Sequence, residues 1–253
     1  MIVKEAGPGK TVVIHETPED LAAYAAEFFL ECASSGIRER GRFSAAFSGG
    51  KTPVGFFNAL AQNHNKTWIA KSRLFQVDER MVSADAADSN QRLIRESLIK
   101  PAGFPQERFY SVPVHLKDAA NAAESYEEML QGLMAAAVPP ENGLDFVLLG
   151  VGEDGHTASL FPEGVQDYPQ EARVHAARSD RHPHDRISLG LPFICAAKNI
   201  LFLISGESKA DVVRKILCDQ APQAPASMVW KKAQQAVMAL DHSASGAYLE
   251  LIA

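Results

Sequence analysis

Residues 43–62 read FSAAFSGGKTPVGFFNALAQ. The apolar run Phe43 to Phe47 is short and stops at Ser48-Gly49-Gly50, and beyond Pro53 the apolar residues recur at helical spacing. This is a strand, a glycine turn and a helix. The alternation extends in both directions. Thr11 to Glu16 reads as a strand, and Thr17-Pro18-Glu19-Asp20 as a helix start with Pro at its first position. That helix is expected to run to about Ser35, with Leu21, Ala25, Phe28 and Cys32 on one face and Gly36 as its stop. Leu74 to Val77 is a strand, Gln91 to Ile99 a helix, Phe109 to Val114 a strand, and Ala119 to Ala136 a long helix. Leu144 to Leu149 is the most strand-like run and ends in Gly150. Ile187 to Leu191, Ile200 to Ile204 and Ala236 to Leu240 are further strands, with a helix from about Lys209 to Leu217 and a Pro-rich loop over Gln220 to Ala226. Strands alternating with helices predict an α/β fold, a Rossmann-like, mostly parallel sheet with helices on both faces. No internal repeat interrupts it, so residues 1–253 read as a single domain.

With 46% hydrophobic and 22% charged residues, the composition is that of a folded globule, not of a disordered or linker-rich chain. Lys+Arg 25 against Asp+Glu 31 leaves a net charge of −6, which opposes non-specific binding to nucleic acid or to an anionic membrane. No uncharged apolar stretch reaches the roughly 18 residues of a membrane span, and MIVKEAGPGK at the N-terminus lacks the apolar run of a signal peptide. A cytoplasmic protein is expected, with a monomer as the simplest state. Cys32, Cys195 and Cys218 are odd in number and widely spaced, so they read as reduced packing residues, not as a disulfide framework or zinc site.

Ligands of such sheets bind beyond the carboxyl ends of the strands. Three chemistry-bearing clusters follow strands: Ser48-Gly49-Gly50-Lys51-Thr52-Pro53, Asp78-Glu79-Arg80, and Gly150-Val151-Gly152-Glu153-Asp154-Gly155-His156. The first offers free backbone N–H groups at a helix start, a natural seat for phosphate. It is not a nucleotide P-loop, which needs a glycine at position 45, where this chain has Ala45. The third contains G-x-G-x-x-G, but His156 and Pro162 interrupt the apolar helix a dinucleotide site requires, and Glu171 precedes the Arg173 to Ala177 run that it should close. What remains there is a carboxylate and an imidazole two residues apart, suited to moving a proton near neutral pH. Arg80 can fork onto a phosphate or carboxylate. Asp85 and Asp88 have no recognised metal-ligand spacing, and His182-x-His184 is a weak metal hint set against the stronger reading of the two histidines as surface loop residues between Arg181 and Arg186. No G-x-S-x-G occurs, which disfavours a serine nucleophile.

Taken together, the three clusters resemble the 6-phosphogluconolactonase family. The resemblance is carried by Ser48 to Pro53, Val77-Asp78-Glu79-Arg80 with Ser89-Asn90, LGVGEDGHTASLFP from Leu149 to Pro162, and Arg186-Ile187-Ser188-Leu189 leading to Ser205-Gly206-Glu207-Ser208-Lys209-Ala210. It implies a fold shared with amino-sugar-phosphate deaminases and ribose-phosphate isomerases, and hydrolysis of a sugar-phosphate lactone with no metal and no organic cofactor. His156 is then the expected general base and Asp154 its partner. Ser48, Gly49, Gly50, Lys51, Thr52, Asp78, Arg80, Gly152, Arg181, Arg186 and Lys209 are expected to hold the substrate, with N–H groups near Gly152 as candidate oxyanion donors. The family's usual Lys five residues before Arg186 is Arg181 here, and its usual Thr after the R-I-S-L run is Gly190. Two alternatives share the scaffold: a glucosamine-6-phosphate deaminase, which typically carries a Glu where this chain has Phe161 and a Tyr in place of Arg80, and a non-catalytic sugar-phosphate sensor.

Overall fold

Five strands of this chain are apolar on both faces, which is stable only where both faces are covered. They are β2 (Lys10–His15), β3 (Phe43–Phe47), β7 (Phe146–Leu149), β10 (Asn199–Ile204) and β11 (Ala236–Asp241). In the computed structural model, which describes residues 1–137, 142–169 and 171–252, they form the centre of an eight-stranded sheet. With β1 (Ile2–Glu5), β4 (Ser72–Gln76) and β6 (Phe109–Tyr110) the order is β1-β2-β11-β10-β7-β3-β4-β6. All pairings are parallel except β1 with β2.

The period of two along each strand divides the core. Ala45, Phe47, Phe146, Leu148, Leu201 and Leu203 face one layer, formed by α1 (Pro18–Arg40), α2 (Pro53–Gln62) and the helix that runs from α3 (Asn90–Ile94) through a π segment to α4 (Lys100–Ala102). Phe29 of α1 centres that layer, its ring meeting Phe43, Phe56, Trp68 and Phe146 edge-on at 5.3–5.9 Å. Ala46, Val147, Leu149, Phe202 and Met238 face the other layer, formed by α5 (Ala119–Ala135), α6 (Leu191–Cys195), α7 (Ala210–Leu217), α8 (Pro225–Lys232) and α9 (His242–Ile252). The chain leaves β3 towards β4 and β6, but leaves β7 towards β10 and β11, so its direction across the sheet reverses between β3 and β7. A crevice opens there, at the carboxyl ends of the two strands.

The structure corrects the sequence reading in several places, among them the strand expected from Phe109 to Val114, which ends at Tyr110. A second sheet, three-stranded and antiparallel, joins β5 (Asp78–Arg80), β9 (Arg186–Leu189) and β8 (Val174–Ala177). Thus Asp78-Glu79-Arg80 is itself a strand, and the expected strand to Leu191 ends at Leu189 because Leu191 opens α6. Gly36 does not stop α1. It lies inside the helix, where a Cβ would come within 3.0 Å of Phe43, and the end is made by Gly41, whose N–H reaches Ile37 O at 2.8 Å. The buried stripe of α1 passes through Phe29 and Ala33, while Phe28 and Cys32 are only half-buried. Finally, Cys218 is exposed, whereas burial pushes the Cys32 and Cys195 thiols up to about 12 and about 11. Among the described residues, no helix is long and apolar enough to cross a membrane.

His175 of β8 is buried, and neither ring nitrogen has a hydrogen-bond partner among the described residues. Burial lowers its pKa, against an opposing pull from Glu127. The unfolded chain therefore binds the proton more readily, and stability falls as pH drops through the ordinary imidazole value of about 6.5. His175→Phe keeps a ring beside Tyr168 and removes the titration. The urea midpoint of the variant is expected to change less between pH 7 and pH 5 than that of the parent.

Candidate active site

β3 and β7 run side by side, with Phe47 opposite Leu148, so the segments after them leave from the same level. After β3 the chain turns through Gly49 and Gly50 onto the start of α2. Gly50 has φ 107°, a conformation side chains rarely adopt, and a Cβ on Gly49 would sit 2.0 Å from Asn90 Oδ1. Among the described residues, the N–H groups of Gly49, Gly50 and Lys51 meet no protein acceptor, and all three residues line a cleft of about 440 Å³. Uncommitted N–H groups at a helix start are a seat for an anion.

After β7 the chain forms a tight turn closed by Gly152 N–H to His156 O at 2.8 Å and Gly155 N–H to Gly152 O at 2.9 Å. Asp154 Oδ1 accepts from the His156 backbone N–H at 3.0 Å and lies 2.6 Å from His156 Nδ1. Burial pushes the Asp154 carboxyl up, but the His156 N–H and the imidazole outweigh it and hold the group below the usual carboxylate value. An ionised Asp154 places the proton on Nδ1 and leaves the Nε2 lone pair available in the cleft that His156 lines. Gly152 makes this pair possible, since a Cβ there would sit 2.1 Å from Nδ1 and 2.7 Å from Asp154 Oδ1. The Gly152 N–H itself is committed to His156 O, so an oxyanion donor in this region has to come from another N–H near Gly152.

The second sheet supplies charge. Arg80 and Arg186 are direct cross-strand partners, as are Asp78 and Ser188. Both arginines line the cleft, and each has a buried Nε without a partner. Burial lowers the Arg186 pKa; Asp78, with its carboxylate 3.9 Å away, pulls it up, and Arg80 lowers it further. Ser159 Oγ donates to Asp78 at 2.8 Å and Ser159 N–H to Ser188 Oγ at 3.2 Å, which ties the segment after the His156 turn to the second sheet.

Of the residues singled out in the sequence, Ser48, Gly49, Gly50, Lys51, Thr52, Asp78, Arg80, Gly152, His156, Arg186 and Lys209 line this one cleft, and Asp154 stands against His156. Arg181 does not join them. It is exposed, and the neighbouring His182 turns in instead. The His182 ring lies 5.3 Å from His156 and 4.9 Å from Phe161, which corrects its reading as a surface loop residue. Burial, then Arg186 and His156, lower its pKa. Asn90 and Ser205 also line the cleft. Neither had been assigned a role, although both lie in segments that carry the family resemblance.

A family model described as glucosamine-6-phosphate isomerases/6-phosphogluconolactonase matches residues 16–238. The chain belongs to this family. Among its relatives, a protein of Nostoc sp. named 6-phosphogluconolactonase is 31% identical over 242 residues, covering 96% of this chain and 99% of that one. The crystal structure of a 6-phosphogluconolactonase from Shewanella baltica superposes with a TM-score of 0.80 at 28% identity, over 91% of this chain and 96% of the other. The 6-phosphogluconolactonase from Trypanosoma cruzi gives 0.83 at 26% identity, over 96% and 98%. The fold of this family member is therefore the mostly parallel α/β sheet expected from its strand and helix pattern.

Two glycine substitutions separate steric need from general tolerance. In Gly152→Ala, the 15N imidazole spectrum at pH 7 is expected to lose the signature of a His156 protonated on Nδ1 and bare on Nε2. Gly164→Ala, whose added Cβ meets only ordinary contact at 3.6 Å, is expected to retain it.

Proposed function

We propose that this chain hydrolyses 6-phospho-D-glucono-1,5-lactone to 6-phosphogluconate, the lactonase step of the oxidative pentose phosphate pathway. The observation that carries this reading is a carboxylate-oriented imidazole sharing one cleft with two arginines whose Nε groups lack partners. The names of the relatives support the same substrate. The phosphate docks on the N–H groups of Gly49, Gly50 and Lys51 with Arg80, Arg186 and Lys209, and so presents the lactone carbonyl to His156. Arg181, outside the cleft, has no part in it.

His156 Nε2 takes a proton from water as the water oxygen attacks C1. Asp154 stabilises the imidazolium that forms. The tetrahedral intermediate then collapses with cleavage of the bond from C1 to the ring oxygen, and His156 returns the proton to that oxygen. One water is consumed and no electrons are transferred, so the cycle closes with His156 neutral. Both walls of the cleft come from the same chain, which supports one domain over residues 1–253 acting as a monomer.

A continuous acid-release assay on fresh lactone tests the assignment. His156→Ala is expected to lose about 10² to 10⁴ in rate over the spontaneous background, and full retention would show that His156 is not the base. Arg186→Gln removes a charge-assisted contact worth about 1.5–3 kcal/mol and should lower kcat/KM by roughly ten- to a hundredfold, mainly through KM. Incubation with glucosamine 6-phosphate should release no ammonia; robust release would favour the deaminase reading.

A further inference from the structure

A second chemistry is available at the His156 turn, where His182 stands beside it. There Asp154, His156 and His182 each bring one ligand atom within 4.8 Å of the other two. We propose that these three residues form a binding site for a borderline-soft divalent metal ion, Zn²⁺ above all, and that the ion inhibits the enzyme by occupying the base. The inhibition, though not the binding, rests on the reading of His156 as that base.

The donor set suits the ion. Two imidazoles and a carboxylate match Zn²⁺ or Co²⁺ and are poor for Mg²⁺, which favours oxygen ligands and an octahedral shell. Tetrahedral ligands at the usual zinc distances are about 3.3 Å apart, so the site must contract. His156 Nδ1 and Asp154 Oδ1, 2.6 Å apart, are the exception and must part slightly as the ion replaces the proton between them. The His182 backbone is held by its N–H to Ser179 O at 3.1 Å, while among the described residues its ring meets the rings of His156 and Phe161 and can turn to close the remaining distance. Three protein ligands leave the fourth position to water. Asp154 and Glu163 favour a cation beside His182, while Arg186 opposes it, which suggests moderate affinity rather than a permanently held ion. This differs from the metal-free expectation drawn from the family resemblance, and it does not make the metal a cofactor.

Either nitrogen of His156 gives the same result. Coordination through Nε2 occupies the lone pair that accepts the proton from water. Coordination through Nδ1 shifts the single ring proton from Nδ1 to Nε2 by exchange with solvent and leaves a neutral ring protonated on Nε2, which cannot accept another. Removing the ion restores the base without covalent change.

The test uses the full-length chain with Zn²⁺ in competition with a chromophoric chelator and Co²⁺ followed by its visible absorption. One ion per chain is expected, with Mg²⁺ not competing. His182→Asn should weaken binding by at least about tenfold, since even outer partners of metal ligands act on that scale. His182→Gln serves as a second variant should the first fail to fold. His184→Asn, at a ring 3.4 Å from Asp88 and outside the cluster, should bind as the parent does. In lactone assays, each protein normalised to its own metal-free rate, the Zn²⁺ concentration that halves the rate should rise in His182→Asn by the same factor as the binding constant. No binding by the parent, or binding as tight as the parent's by both His182 variants, would overturn the site. Binding that depends on His182 but leaves turnover unaffected would overturn the inhibition and the role of His156 while leaving the metal site standing.

Discussion

The carboxylate of Glu79 has no exposed surface and accepts from Gln76 Nε2 at 2.8 Å, Ser89 Oγ at 3.2 Å and the backbone N–H groups of Arg80, Asn90 and Gln91 at 2.8, 2.9 and 2.6 Å. A buried carboxylate is tolerable only when its oxygens are satisfied in this way, and the start of α3 provides both donors and a favourable helix dipole. The end of β4, the strand β5 and the first turn of α3 are thereby held as one unit. Asn90, positioned by this cap, donates to Asp78 O at 3.0 Å and occupies the space a side chain on Gly49 would need. The pleat of β5 places Asp78 and Arg80 on the side opposite Glu79. A single buried carboxylate therefore sets both the glycine turn and the cationic wall of the cleft.

That wall is costly in isolation. Like charges directly opposite each other on neighbouring strands are destabilising by roughly 0.2–1 kcal/mol, and Arg80 faces Arg186 in that way. Asp78 compensates only in part, its carboxylate being 3.9 Å from Arg186. The arrangement makes physical sense when an anion completes it, because one dianionic group can accept from both guanidinium forks and from the glycine turn. The chain as a whole carries −6, so the facing pair Arg80 and Arg186 is a local concentration of positive charge on a chain that is acidic overall.

Much of this was legible in the sequence, for reasons that differ from element to element. The central strands read clearly because burial on both faces leaves continuous apolar runs such as Phe146 to Leu149, and a helix is required to cover each face. The glycine turn and the Asp154-Gly155-His156 segment read because they are local: residues one to three apart determine their geometry. The second sheet did not read. β5 is three residues of charge, DER, whose burial depends on partners more than a hundred positions away in β9, and no periodicity records that pairing. Gly36 was misplaced for a similar reason, since its close approach to Phe43 is a packing demand from another element. Arg181 and His182 lie in a loop where adjacent residues point in different directions, and only the three-dimensional course of residues 178–185 decides which one turns in.

The surroundings of His156 also bear on the choice between the two chemistries of the family name. Phe161 is buried with its ring 5.4 Å from the imidazole, so position 161 brings an apolar ring to His156 and not a second acid. Hydrolysis of a lactone needs one proton taken from water and returned to the ring oxygen, a task one imidazole can perform twice in a cycle. Isomerisation with loss of ammonia needs protons moved between two carbons, the ring oxygen and the departing nitrogen, which calls for more than one carrier. His156, oriented by Asp154 and flanked by the rings of Phe161 and His182, is better matched to the hydrolytic branch. The space Gly152 leaves open brings Asp154 and His156 close enough to share a proton, and with His182 beside them close enough to share a metal.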